Sequence, residues 1–314
     1  ARQTRISQQL ALRISLPKTG QHWVDRQAPV AYSVMAADRC EITANGKVFA
    51  EITTAGRMLA PNGDTVGRFV QRFQVTRGSR ILTIEMEIQP LPELLLADEP
   101  WDSYYASRFA FADEAAELVA GRHHQAIRVS SSRFEAPMFV EIDSLPPSFS
   151  QSVQQRTTIF SGGVPFHRRV TATQLDTLLI TGRPSAGPAA PEDPNHSADA
   201  LGEDLPWFHF RMGVGVDVSS PVHAAIDWQG QTLPPTVFSG SPNVSAGWLF
   251  CSTAKNVLIS AWAPQPDGSI RMRMIETLGQ STRFQIHAHR GWKSLHHIRL
   301  DGTLLEEVEI ADGA

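Results

Sequence analysis

The chain has 314 residues, enough for one large all-β domain or two unequal ones with a sizeable core. Its 28 Lys and Arg residues nearly balance 32 Asp and Glu residues, which gives a formal net charge of −4. This charge argues against general electrostatic binding to nucleic acid or to an anionic membrane. No apolar run approaches the roughly 18 to 20 residues that span a bilayer, and the N-terminus shows no signal peptide. We therefore expect a cytoplasmic protein with no nucleic-acid or membrane partner.

Short strands separated by turns are predicted from Arg13 to about Ile88. The pair Asn45-Gly46 lies between two strand-like segments, which is a strong local hairpin signal. Further on, apolar and polar residues alternate on both sides of a turn at residues 77–79, so each arm of this second hairpin has one apolar face. The region is predicted to be an antiparallel meander.

Residues 101–109 combine aromatic and charged side chains at a junction of loop and strand. Aromatic rings can cover the apolar face of a sugar while charged groups bind its hydroxyls, so Tyr104, Tyr105 and Arg108 are candidate substrate-binding residues. A place for these rings in the core is the alternative. Residues 112–120 are compatible with a helical turn or a strand edge.

A second candidate cluster follows Gly162-Gly163, whose small residues allow another group to approach the backbone closely. His167, Arg168 and Arg169 come directly afterwards and could hold hydroxyls or a carboxylate. A corner of structural salt bridges is the alternative reading.

Two composition changes bear on domain organisation. Residues 181–206 are rich in Pro, Ala, Gly and acidic side chains and predict a long exposed loop within one domain. The proline residues at 234–242 are a better candidate for an interdomain linker than residues 181–206. We therefore predict a large domain at 1–235 and a small one at 236–314. The two cysteines, Cys40 and Cys251, form no metal-type pair and are expected to be buried free thiols, with a disulfide as the alternative.

The small domain contains a clear hairpin. Residues 257–262 form a nearly continuous apolar run that suits a strand covered on both faces, a Pro-x-Pro-Asp-Gly turn follows, and residues 270–274 alternate between apolar side chains and arginine. Beyond it, His287 and His289 would share one face of a strand, but a zinc site needs a third ligand and usually a fourth, and none is evident nearby. We expect no metal site in this chain.

This hairpin and several other blocks resemble, in order, the C-terminal β-region of family 38 glycoside hydrolases, the α-mannosidases. The matching blocks are Val48 to Ile52, Phe69 to Phe73, Arg77 to Leu82, Tyr104 to Ala110, Gly162 to Arg169 and Asn256 to Thr277. The resemblance implies an all-β fold, a large sandwich of the galactose-mutarotase type followed by a small β-sandwich. It covers most of the chain.

The family's catalytic residues and zinc ligands, including a His-x-Asp motif, are supplied by an N-terminal barrel and the helical segment after it, and no part of this chain matches them. The resemblance therefore implies a non-catalytic β-portion without a cofactor of its own, with zinc bound in the absent catalytic domain. Its partners would be the barrel of the same protein and a mannose-containing carbohydrate.

Two other functions remain open at this point. A self-contained sugar epimerase or lyase would need a histidine and an acid on a concave face, such as His167 or His209 with Glu276. A stand-alone carbohydrate-binding module would need an exposed platform of rings, for which the candidates are Tyr104, Tyr105, Trp207 and Trp228.

Overall fold

A computed structural model describes residues 6–15, 30–91, 100–144, 155–181, 206–230, 250–289 and 292–310. The chain divides into two units, residues 1–229 and 230–314. The predicted boundary after residue 235 and nearly all of the predicted loop at 181–206 lie outside the described residues.

The first unit contains fifteen described strands and one described helix. In chain order they are β1 (Ile6–Ser15), β2 (Val30–Tyr32), β3 (Val34–Asn45), β4 (Phe49–Leu59), β5 (Thr65–Thr76), β6 (Ile81–Pro90), β7 (Tyr104–Phe111), β8 (Glu117–Arg122), β9 (Gln125–Val129), β10 (Arg133–Glu135), β11 (Phe139–Ser144), β12 (Gln155–Phe160), β13 (Phe166–Thr171), β14 (Gln174–Thr181), β15 (Phe208–Val216) and α1 (Pro221–Gly230). The predicted all-β class is confirmed.

These strands form two antiparallel sheets. The first has the order β10-β13-β14-β7-β1-β2 and the second has the order β3-β4-β5-β6-β15-β12-β11-β8-β9. One hydrophobic core contains side chains of both sheets, so the sheets face each other as a sandwich. We call the faces that meet in this core the inner faces, and the opposite ones the outer faces.

The alternation predicted for residues 82–88 places side chains as expected. Ile84, Met86 and Ile88 are buried in the core, whereas Glu85 and Glu87 on the outer face are half-buried. Each fully buried aliphatic side chain contributes about 1.5–3 kcal/mol to folding. The register of β6 is thereby fixed, because a slip of one residue would move all three apolar side chains to the wrong face.

The predicted turns at Asn45-Gly46 and at residues 77–79 are confirmed. The amide of Gly46 donates to the carbonyl of Phe49 at 2.8 Å, between β3 and β4. Gly78 has a φ of 84°, a left-handed conformation that glycine adopts without steric cost, between β5 and β6.

The helix α1 was not expected from the sequence. Pro221 occupies its first turn, where a missing N–H costs nothing, and Ser220 precedes it. Trp228 lies on the outer face of the nine-stranded sheet, 5.7 Å from the ring of Phe160, and its indole N–H donates to Thr83. With ten residues α1 is too short to cross a bilayer, and none of the described residues form a helix that could.

The described residues of the second unit form β16 (Phe250–Ser252), β17 (Val257–Pro264), β18 (Ile270–Glu276), β19 (Ile286–Ala288), β20 (His296–Ile298) and β21 (Leu304–Glu307). They pair as β16-β19, β17-β18 and β20-β21. The predicted hairpin is thus confirmed as β17-β18. The expected cover on both faces of β17 was wrong, since only Val257 and Leu258 are buried and Trp262 is exposed. In an isolated two-stranded hairpin, the residues near the turn have few neighbouring side chains that could bury them.

The expected burial of the cysteines was also wrong. Cys40 and Cys251 are both free and exposed, on β3 and β16 respectively. Each strand is at the edge of its sheet, where side chains have neighbours on one side only.

Candidate functional site

A buried polar network occupies the outer face of the six-stranded sheet. Asp176 on β14 lies opposite Arg108 on β7, and its carboxylate is 3.4 Å from the Nε of that arginine. The hydroxyls of Tyr104 and Tyr32 donate to Oδ2 of Asp176 at 2.9 and 3.3 Å. The guanidinium of Arg108 also lies 3.7 Å from the centre of the Tyr32 ring and bonds the side chain of Gln174.

Burial dominates the electrostatics of this network. It raises the pKa of Asp176, while the charge of Arg108 and the hydrogen bonds from both tyrosines oppose the rise. Burial, and next the charge of Asp176, raise the pKa of Tyr104 far above its ordinary value, so its hydroxyl remains a donor. The four side chains form a buried network in which Oδ1 of Asp176 and Nε of Arg108 are close as an ion pair but make no hydrogen bond.

Two arginines beside this network hold the segment that precedes β7. Arg13 donates to the carbonyls of Trp101 and Asp102, and Arg168 donates to the carbonyl of Trp101 at 2.6 Å. Ser15 adds a hydrogen bond to the carbonyl of Asp102 at 2.8 Å. Charge-assisted bonds of this kind are roughly twice as strong as neutral ones, so the main chain at residues 101–102 is firmly positioned.

The side chain of Trp101 extends the network toward solvent. Its ring meets that of exposed Phe166 edge to face at 5.8 Å, and the guanidinium of Arg133 lies 5.6 Å from its centre. Trp101 is half-buried, while Phe166 and Arg133 are exposed. We call these three residues the Trp101 patch. Rings beside a charged group can contact a sugar through its CH face and its hydroxyls.

Two other predicted site residues belong to the inner face. Tyr105 is buried and donates to the carbonyl of Val66 at 2.6 Å. His167 is fully buried, stacked on Phe134 with ring centroids 5.5 Å apart. Burial lowers the pKa of His167 to about 4, so the imidazole is neutral at pH 7.

The hydrogen bonds of His167 are all internal. Its Nε2 lies 3.1 Å from the carbonyl of Ala136, which can only accept, so Nε2 carries the proton. Nδ1 then accepts from the hydroxyl of Thr177 at 3.1 Å. In this position His167 has no free nitrogen to offer a substrate.

Arg169 lies apart from the other candidates. It donates to the carbonyls of Ala116 at 3.0 Å and Ala172 at 2.7 Å, which ties β13 to the segment before β8. It also lines a surface pocket together with Glu114, Glu117 and Arg128, where the last two form an ion pair. The structure therefore brings Tyr104, Arg108 and Arg168 together on one face and places Tyr105, His167 and Arg169 elsewhere.

One acidic residue that the sequence did not single out is buried on the outer face of the nine-stranded sheet. Glu141 on β11 has one carboxylate oxygen without a hydrogen bond, and the nearest guanidinium atom, of Arg156, is 3.9 Å from the other oxygen. Burial raises the pKa of Glu141, while the charge of Arg156 opposes the rise and that of Asp143 reinforces it. Alternation along β11 was the available signal, because Glu141 occupies a strand between the buried Val140 and Ile142.

The residues proposed for the two alternative functions lie in different environments. Three of the four rings proposed as a platform, Tyr104, Tyr105 and Trp228, are buried, and only Trp207 is exposed. Of the histidines proposed for an epimerase, His167 is enclosed and the exposed His209 lies 3.9 Å from Glu87. The carboxylate of Glu276 already accepts from the side chain of Asn256 and from two main-chain amides.

Within the part of the chain that the structure describes, no group of three His, Cys, Asp or Glu side chains is arranged to hold a metal ion.

Comparison with known proteins gives a match in structure only. No protein-family model and no curated protein matches the sequence. A glycosyl hydrolase family 38 protein from Enterococcus faecalis matches with a TM-score of 0.62 and 10% identity, over 96% of this chain and 39% of that one. An α-mannosidase from Enterococcus faecalis V583 matches with a TM-score of 0.60 and 10% identity, over 89% of this chain and 34% of that one.

The chain thus spans less than two fifths of the length of the structures it matches. At 10% identity the match concerns the fold and not the activity. The all-β architecture of this chain is accordingly the architecture of one part of glycosyl hydrolase family 38 structures.

Proposed function

We propose that this chain is the non-catalytic C-terminal β-portion of an α-mannosidase-like glycoside hydrolase, which packs against a catalytic barrel of the same polypeptide. The observation that carries the proposal is the coverage of the match. Nearly the whole of this chain, 96%, corresponds to 39% of a family 38 chain.

Two of the acidic side chains on the described strands are already engaged by the fold. Glycoside hydrolysis needs two carboxyl groups placed on either side of the scissile bond, with access to the sugar. Asp176 is enclosed by Tyr104, Tyr32 and Arg108, and Glu276 is occupied by three donors. These two carboxylates therefore serve the fold.

The proposal extends to the rim of a sugar cleft, where the Trp101 patch would contact a mannose-containing carbohydrate. Arg168 bonds the carbonyl of Trp101 directly, and Tyr104 and Arg108 support the sheet beneath it. In this proposal the three sequence candidates are positioning residues, and the ring of Trp101 makes the contact.

The first test uses the natural coding sequence that contains this segment. The expected result is an upstream barrel with an early His-x-Asp motif, and hydrolysis of an aryl α-mannoside by the whole protein that a chelator abolishes. The 314-residue chain alone should release no sugar, with or without added zinc. Clear turnover by the 314-residue chain, or a coding sequence without a barrel, would refute the proposal.

The second test addresses the cleft. In the whole enzyme, Trp101→Ala is expected to raise KM for a mannose oligosaccharide about tenfold, the effect of losing roughly 1.4 kcal/mol of binding, and to leave kcat unchanged. Trp207→Ala, which removes an exposed ring that is not part of the Trp101 patch, is the matched control. Equal KM values for both variants would exclude the patch from the cleft.

A further inference from the structure

A row of aligned apolar residues runs across the inner face of the nine-stranded sheet and out of its core. Ile42 on β3 is opposite Ile52 on β4, which is opposite Phe73 on β5, which is opposite Ile84 on β6. The exposed fraction falls along this row from 69% at Ile42 and 45% at Ile52 to 1% at Ile84. The core therefore continues uncovered toward the β3 edge.

Neighbouring positions show the same loss of cover. Val75, two residues beyond Phe73 on β5, is 48% exposed. Cys40, two residues before Ile42 on β3, is exposed on the same face. We call Cys40, Ile42, Ile52, Phe73 and Val75 the inner-face overhang.

The outer face of the same strands is polar at the level of this row. There the hydroxyl of Thr43 bonds both Glu51 and Thr53, and the amide of Gln74 bonds Glu51 at 2.9 Å. Polar groups thus lie directly behind the apolar row, whereas exposed apolar side chains of the outer face, Val34 and Phe49, lie at strand ends. Alternation of this kind is typical of a sheet whose apolar face is covered.

Uncovered, the inner-face overhang would be a liability to the protein. Its outermost strand, β3, is the edge of the sheet among the described strands, and an edge strand's main-chain groups can pair with other chains. Contiguous exposed apolar groups on a sheet face commonly mark an interaction surface. The two register shifts in β3, after Ala37 and after Ile42, interrupt its edge but leave the apolar face intact.

We infer that the inner-face overhang is the docking surface for the catalytic portion of the same polypeptide, an inference that rests on the proposed function. The family 38 chain that matches continues for the remaining 61% of its length (100% less the 39% covered), which supplies a covalently linked occupant. The inner-face overhang carries no charged side chain, so it suits an apolar partner surface that is always present. It also extends a core and would become part of a larger one.

Cys40 makes this surface measurable in the whole enzyme. The rate at which a maleimide modifies Cys40 is measured by peptide-resolved mass spectrometry, in the native protein and after unfolding. The matched control is the double variant Cys40→Ser/Glu41→Cys, which moves the thiol to the next residue and so to the outer face, where the Glu41 side chain is 46% exposed.

The expected result is that native Cys40 reacts at least about tenfold more slowly than the cysteine at position 41, because covered thiols react only after local opening. Equal rates in an enzyme with mannosidase activity would overturn the docking surface and leave the proposed function standing. Protection that disappears on dilution would identify a second copy as the occupant and would also overturn the inference. A coding sequence with no further domain would refute both the docking surface and the proposed function.

Discussion

Asp176 shows how this fold accommodates a buried charge. Its carboxylate has no exposed surface, yet it is surrounded by a guanidinium and two phenolic hydroxyls. Such arrangements add little net stability compared with apolar packing, but removing one partner leaves the other buried and uncompensated. Replacement of Asp176 should therefore destabilise the protein.

We expect Asp176→Ala to lower the free energy of unfolding by about 3–5 kcal/mol, because Arg108 would remain buried without its counter-charge. Asp38→Ala is the matched control, since Asp38 forms a 2.9 Å ion pair with Arg57 that is exposed to solvent. This control should leave the urea midpoint unchanged. Similar shifts for both variants would show that the network around Asp176 is not closed to water.

His167 should make the stability depend on pH. Its pKa is 6.5 in an ordinary environment and about 4 in the folded protein, where burial disfavours the charged form. The unfolded chain therefore binds the proton first as the pH falls, and stability present above pH 6.5 is lost between pH 6.5 and 4, by roughly 3 kcal/mol. Urea titrations at several pH values measure this slope.

The control for this prediction is His209→Gln, because the His209 side chain is 70% exposed and the variant should keep the full slope. His167→Gln should flatten it. If that variant does not fold, the imidazole signals of the unmodified protein decide the question by NMR. A titration of His167 near pH 6.5 would contradict the prediction.

Several of the polar side chains that the sequence singled out do lie together in the structure. Tyr104, Arg108 and Arg168 were singled out and do lie on one face, because strand neighbours at positions 104 and 108 point the same way. Their partner Asp176 could not be found, since it follows 68 residues after Arg108 and only the register of β14 against β7 brings them together (176 less 108). Alternation likewise left open which of Tyr104 and Tyr105 faces the core.

Among the structural elements, the bend between β12 and β13 gives a sharp test. The sequence predicts that Gly162-Gly163 allows close approach of another group, and the carbonyl of Arg211 on β15 is that group. Gly162 has a φ of 61° and Gly163 a φ of 90°, so both are left-handed. Only at Gly162 would a Cβ atom overlap a neighbour; at Gly163 it would meet nothing within 4 Å.

Gly163→Ala is expected to cost about 1–2 kcal/mol, the strain of a left-handed residue with a side chain. Gly162→Ala should cost distinctly more, because β15 must also move away from the bend. Thermal unfolding of the two variants measures the difference. Equal losses would mean that β15 is free to shift.

Local signals account for the elements that the sequence predicted. Hairpins at β3-β4, β5-β6 and β17-β18 depend on a turn and on alternation within some ten residues to either side, all of which can be read directly. The pairing of β15 with β6 and β12 depends instead on residues far apart in the chain. No short turn connects these strands, so the sequence carries no local signal of their pairing. The buried side chains of α1, Pro221, Val222, Ala225 and Trp228, do recur at helical spacing, but ten residues are shorter than the window over which that period is normally recognised.

For the whole molecule, the uncovered end of the core predicts how the 314-residue chain behaves alone. Ile42 and Ile52 are exposed side chains on and next to an edge strand, so the isolated chain should self-associate. Ile42→Lys is expected to suppress this without lowering the unfolding temperature, because the residue it replaces buries little surface. Light scattering across a concentration series measures the effect.

Thr43→Lys, next along β3 but on the polar outer face, serves as the control and should leave self-association as it was. If Ile42→Lys scattered as strongly as the unmodified chain, association would have to involve a different surface.

The position of β15 has a consequence for synthesis on the ribosome. Strands β3–β6 and strands β8, β9, β11 and β12 form two separate four-stranded groups, and β15 alone joins them into one sheet. From residue 160 to residue 216 the ribosome adds 56 residues, which takes roughly 3 to 11 s at 5–20 residues per second. Until β15 has been translated, the strand that pairs with both β6 and β12 does not exist, and a message cut short before residue 208 would leave both edges unpaired. The strand that completes this sheet is also its last to be translated.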